Sequence, residues 1–106
     1  MARINAAQNG QCKFLKLVWT QTALADRKSI RVYIAADNTN AALDFDKMLS
    51  EKAARLLEHP NLGRLGRVAN THELVVHPNY ILIYDIIDEL IRVLRILHTA
   101  RQWPLA

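Results

Sequence analysis

The sequence predicts an α+β fold: an N-terminal strand, a two-helix hairpin and then a three-stranded antiparallel meander, in the order β-α-α-β-β-β. Three observations predict it. Between Thr71 and Pro104 lie three runs rich in Val, Ile, Leu and Tyr, separated by His77-Pro78-Asn79 and by Asp88-Glu89. Such runs are strand-like and such separators favour turns. Ahead of them, two segments carry apolar residues at helical spacing and are joined by Asp37-Asn38-Thr39-Asn40. A Gly/Arg connector, LGRLGR from Leu62 to Arg67, separates the helical part from the strands.

Residues 1–13 have no clear period and many small polar side chains, so they are expected to form a flexible arm. Phe14 to Trp19 reads as a short strand. Thr20 is a favourable N-cap, and Ala23, Leu24, Ile30 and Ile34 then recur on one side of a helix running to about Ala36. In the second helix Ala42, Phe45, Leu49 and Leu56 form an apolar stripe widened by Met48, Ala53 and Leu57, and Pro60 and Gly63 end it. Tyr80, Leu82, Tyr84 and Ile86 share one face of the next-to-last strand, with Ile81, Ile83 and Ile87 on the other, as in a central strand. In the last strand, simple alternation puts Arg92 with Leu94 and Ile96, and Arg95 with Val93 and Leu97. One of these arginines is therefore expected to face solvent or a partner.

A chain of 106 residues, 51% hydrophobic, supports a single domain with one core rather than two domains or a disordered chain. No apolar run approaches the ~18 residues of a membrane span, and the N-terminus lacks the continuous apolar stretch of a secretory signal. A cytoplasmic protein without membrane contact is expected. Cys12 is the lone cysteine, so neither an internal disulfide nor a CxxC site is available, and no cofactor is implied. His72 and His77 were it not for the absence of Cys or Asp at ligand spacing would suggest a metal; as they stand, none is expected. The net charge of +4 favours an acidic partner: nucleic acid, a ribosome or an acidic protein surface.

The ordered set Trp19, Ala23, Asp26, Ile30, Tyr33, Ile34, Ala41, Ala42, Pro60, Gly63-Arg64, Gly66-Arg67, Glu73 to Val76, Tyr80, Tyr84, Arg95, His98 and Trp103-Pro104 resembles the RelE/ParE superfamily of bacterial toxins. The likeness runs from Leu15 to Pro104. It implies the toxin of a type II toxin-antitoxin module, of the kind tied to growth arrest and plasmid stabilization. It also implies a small cognate antitoxin, encoded beside the toxin, that binds it in a hetero-oligomer. RelE-like members cleave mRNA in the ribosomal A site; ParE-like members inhibit DNA gyrase and need no catalytic set. The ending IRVLRILHTARQWP is more similar to the ParE-like branch, so DNA gyrase is the leading target and a ribosome-dependent mRNA interferase the alternative.

Whether the chain is an enzyme turns on a few side chains. A ribonuclease would use Glu73, or His72, as base, Arg101 with Arg95 as phosphate clamps and His98 as acid, since RNA cleavage needs proton transfer and charge stabilisation together. By the resemblance, the position after Tyr80 where such nucleases carry arginine holds Ile81, and no tyrosine follows Arg101. For binding of target or antitoxin the candidates are Arg64, Arg67, Arg92, Arg95 and Trp103. Each has a plainer reading. His98 can cap the sheet end, and His59 suits a helix C-terminus. Arg64 and Arg67 can be solvated turn residues, Trp103-Pro104 can pack over the sheet edge, and Tyr80 and Tyr84 read first as core.

Overall fold

Lys16–Trp19 form strand β1, and the next residue turns the chain into helix α1, Gln21–Ala35. The Thr20 hydroxyl makes that turn: it accepts the Ala23 N–H at 3.1 Å and lies 3.0 and 3.2 Å from the Val93 and Leu94 carbonyls as their donor. One side chain thus starts the helix and ties its start to a strand more than seventy residues away. Helix α2, Thr39–Ala54, begins alike at Asn38, whose Oδ1 accepts the Ala41 N–H at 3.0 Å. A 3-10 turn, Arg55–Leu57, closes the hairpin. The computed structural model describes residues 15–99.

The remaining strands are β2 (Arg64–Leu65), β3 (Thr71–His77), β4 (Tyr80–Ile87) and β5 (Leu90–His98), and the sheet order is β1-β5-β4-β3-β2. β1 runs parallel to β5, with the helical hairpin as part of the crossover, and every other pair is antiparallel. The α+β class and the element order agree with expectation. The Gly/Arg connector adds to it, because its Arg64-Leu65 pair lies against Glu73 and His72 as a short edge strand. Two turns use residues that tolerate a positive φ: Asn70 at 68° and Asp88 at 55°.

The core lies between one sheet face and the two helices. Tyr80, Leu82 and Tyr84 of β4 and Ile91, Val93 and Ile96 of β5 meet Ala23, Phe45, Leu49, Ala53 and Leu56. The β4 face reads as the sequence implies. The β5 face does not. Ile83 pairs with Arg95 but Tyr84 pairs with Val93, so Leu94 is an extra, unopposed residue. Beyond this bulge the alternation changes phase, and Ile96 enters the core beside Val93 instead of sharing a face with Arg92. Arg92, with 38% of its side chain exposed, is the one that faces solvent while binding Asp85, and Arg95 is turned to Asp26. His72 and His77 stand toward opposite ends of β3. No helix among the described residues is long and apolar enough to cross a membrane.

Candidate functional site

The sheet face turned away from the helices carries a cavity of about 350 Å³. Val75, Ile81, Ile83 and Leu97 line its apolar part, and Arg64, Arg67 and Glu73 its charged end. The alternation of β3 and β4 sets this up: residues out of phase with the core positions Leu82 and Tyr84 must emerge here.

Glu73 organises the charged end. Its side chain is 7% exposed, whereas that of Arg64 is 65% exposed. The carboxylate accepts the Arg64 guanidinium at 3.1 Å through one oxygen and the Arg67 backbone N–H at 3.3 Å through the other. A buried acid therefore holds the connector from below while the guanidinium reaches outward. Tyr84 fixes the same connector from the core side, donating its hydroxyl to the Pro60 carbonyl at 2.7 Å and accepting the Gly63 N–H at 3.0 Å. Burial pushes the Tyr84 phenol above its ordinary pKa, and the Gly63 N–H partly offsets that. Gly63 is required by this close approach, since a Cβ there would come within 2.9 Å of the Glu73 carbonyl and of the Tyr84 ring.

Of the other sequence candidates, His98 also lines the cavity, and the rest are dispersed. Register sets His98 opposite Tyr80, and its ring meets the tyrosine edge-on with centroids 5.3 Å apart. Glu73 stands opposite Ile83. Base and acid candidates are thus separated by about 10 Å along the strands and about 10 Å across them. Arg92 forms a two-pronged pair with Asp85 at 3.0 and 2.6 Å. Arg95 joins Asp26 of α1 at 2.7 and 3.1 Å, which leaves it holding the hairpin to the sheet. His72 stacks on Tyr84, with centroids 5.1 Å apart, and its buried Nδ1 has no hydrogen-bond partner. Arg101, Trp103 and Cys12 lie outside the described residues. Among the described residues no group of three or more His, Cys, Asp or Glu is placed to hold a metal.

Sequence reasoning missed the carboxylates that occupy the arginines and the Tyr84 hydroxyl that holds the connector. One was findable: Asp85 and Arg92 interrupt apolar runs on either side of the Asp88-Glu89 turn, where a hairpin brings them together. Nothing local signals that Asp26 meets Arg95.

The family described as ParE toxin of type II toxin-antitoxin system, parDE, matches residues 17–103. This chain belongs to the ParE toxin family. The ParE-family toxin is 42% identical over 86 residues to Toxin RelE2 of Caulobacter vibrioides, an alignment covering 81% of this chain and 97% of that one. Its fold is similar to that of the chromosomal ParDE TA system from P. aeruginosa, with a TM-score of 0.71 at 22% identity over 80% of this chain and 96% of that chain. It is also similar in fold to the E. coli DinJ-YafQ toxin-antitoxin complex, at a TM-score of 0.56 and 18% identity over 83% and 96%. The chain is a type II toxin of the RelE/ParE superfamily.

Proposed function

We propose that this ParE-family toxin arrests bacterial growth in the cytoplasm by binding DNA gyrase and blocking its cycle, and that a cognate antitoxin neutralises it by direct binding. The supporting observation is the chemistry of the outer sheet face. Its cavity has an apolar wall of Val75, Ile81 and Leu97, and two of the nearby arginines, Arg64 and Arg92, already pair with Glu73 and Asp85. That is a surface suited to another protein. RNA cleavage needs a base, a cation and an acid around one phosphodiester. Glu73 has both oxygens engaged, by the Arg64 guanidinium and the Arg67 N–H.

The 42% identity to a protein named RelE2 favours a second reading, ribosome-dependent mRNA cleavage. The test is to induce the chain without its antitoxin, pulse-label DNA and protein synthesis, and assay supercoiling by purified gyrase. Early loss of DNA synthesis with inhibited supercoiling supports the gyrase reading. Early loss of protein synthesis with intact supercoiling overturns it and selects the interferase.

A further inference from the structure

We infer that a second cavity, between α1 and the end of the sheet where β4 begins and β5 finishes, is a binding site for a small uncharged heteroaromatic ring of purine size, a free nucleobase or its nucleoside. It lies on the helix side of the sheet, opposite the face assigned to gyrase, and it does not depend on that reading.

The cavity holds about 410 Å³, within the range of roughly 300–1,000 Å³ usual for small-molecule sites. Ile30 of α1 and Ile96 and Leu97 of β5 supply an apolar wall, and Ser29, Tyr33 and Tyr80 border the same space with three side chains that carry hydroxyls.

Tyr80 points to a ligand. It is only 8% exposed, and its ring meets Phe45 and His98 edge-on with centroids 5.1 and 5.3 Å away. Its hydroxyl nevertheless makes no hydrogen bond to any described residue, and the same holds for the hydroxyls of Ser29 and Tyr33. A buried phenol ordinarily finds a partner. The tip of Tyr80 lies toward Tyr33: burial first, and the neighbouring Tyr33 second, raise the Tyr80 pKa above its ordinary 10.0.

Charge selects the class of ligand. The Asp26 carboxylate also borders the cavity, but it accepts two N–H groups of Arg95 and the Ile96 N–H. The pair is balanced, so neither a cation nor an anion finds a free counter-charge there. Hydroxyls both donate and accept, and three of them suit the mixed donors and acceptors along the edge of a nucleobase. An aliphatic ligand would leave those hydroxyls unpaired. Tyr33, 76% exposed, offers an open ring face at the mouth, on which a base can stack.

The test is methyl-detected NMR on the full chain, titrated with adenosine, adenosine monophosphate, ribose and a short adenine-containing single strand of DNA. Adenosine is expected to shift the Ile30 and Ile96 methyl signals saturably and to leave Val75 and Ile81, on the opposite face, in place. The monophosphate is expected to bind no more tightly than adenosine, and ribose to give no saturable shift. Tyr33→Ala, at an exposed side chain, is expected to keep the spectrum of the fold and weaken adenosine about tenfold. Tyr80→Phe, which keeps the core ring and removes the hydroxyl, is expected to weaken it about fivefold. No saturable shift at millimolar adenosine, equal binding of ribose, or unchanged affinity in both variants would each overturn the inference. So would a clear preference for the monophosphate, which would reveal a cationic site, or for the DNA strand, which would assign the ring to nucleic acid rather than to a free nucleoside.

Discussion

Asp26 on α1 grips Arg95 on β5 through bonds of 2.7 and 3.1 Å, and the same carboxylate accepts the Ile96 N–H at 3.1 Å. Their side chains are only 17% and 22% exposed. One acid therefore pins the helical hairpin to the sheet and satisfies a strand-edge donor beyond the end of β1. Asp26→Ala leaves a mostly buried guanidinium and that N–H without their acceptor, so urea denaturation should show a loss of about 2–3 kcal/mol. Arg95→Ala should cost less once Asp26 is already alanine than it does alone. Additive losses in the double-mutant cycle would show that the two side chains act independently.

Tyr84→Phe removes one donor and one acceptor while keeping the ring that packs in the core. Its expected cost is about 1–2 kcal/mol, and on the proposed gyrase reading inhibition of supercoiling should weaken too, because the connector bearing Arg64 loses its inner anchor. The hydroxyl also leaves a pH signature. Burial raises its pKa above the ordinary 10.0, so this group's contribution to stability is complete below about pH 10 and is lost as pH rises through the folded-state value. Tyr80 is raised too, chiefly by burial, and acts in the same window. The phenylalanine variant should therefore show a shallower alkaline fall in chemical-denaturation midpoints than the parent.

The acid side depends on Asp46. Arg27 donates to its carboxylate at 2.7 Å, Arg31 at 3.3 Å, and the Arg27 guanidinium also lies 4.6 Å from the Trp19 ring centre. The Arg27 hydrogen bond is the main cause holding the Asp46 pKa below its ordinary 3.8, against desolvation. A lowered carboxyl pKa contributes stability that is present above the unfolded value and disappears as pH falls through the folded one. Asp46→Asn should cost under about 1 kcal/mol at pH 7, in keeping with a part-exposed pair, and should flatten the stability loss below about pH 4. Equal acid slopes in the two proteins would assign that loss to other carboxylates.

How far the sequence discloses this molecule depends on the range of the interaction. Thr20 and Asn38 are legible as caps because a cap is decided within three residues. The two faces of β4 are legible because no bulge interrupts the run itself. The phase of β5 is not, since the bulge at Leu94 is fixed by pairing with β4 and no residue in the strand announces it. At the candidate site, Arg64, Arg67 and Glu73 stand out as charges in sequence. Their roles do not, because whether Glu73 is a base or an anchor depends on its burial and on both bonds it accepts. The short strand made by Arg64 and Leu65 is hidden for the same reason, as its hydrogen bonds belong to β3.

Placement and charge at the cavity can be separated with two substitutions in one connector. Gly63→Ala adds a methyl that would meet the Glu73 carbonyl and the Tyr84 ring at 2.9 Å each, and neither a paired strand nor a packed ring yields readily. Overpacking of this kind costs about 1–3 kcal/mol, and relief comes most simply by displacing the connector, which draws Arg64 away from Glu73. Arg67→Ala, by contrast, removes an exposed side chain and leaves the backbone N–H that Glu73 accepts, so stability should change by no more than about 0.5 kcal/mol. Thermal denaturation should therefore distinguish the two variants strongly, while, with gyrase as the proposed target, the supercoiling assay should find both impaired. An Arg67→Ala protein with full inhibition would mean that the connector's arginine charge is not what the target reads, and that the apolar wall carries the contact.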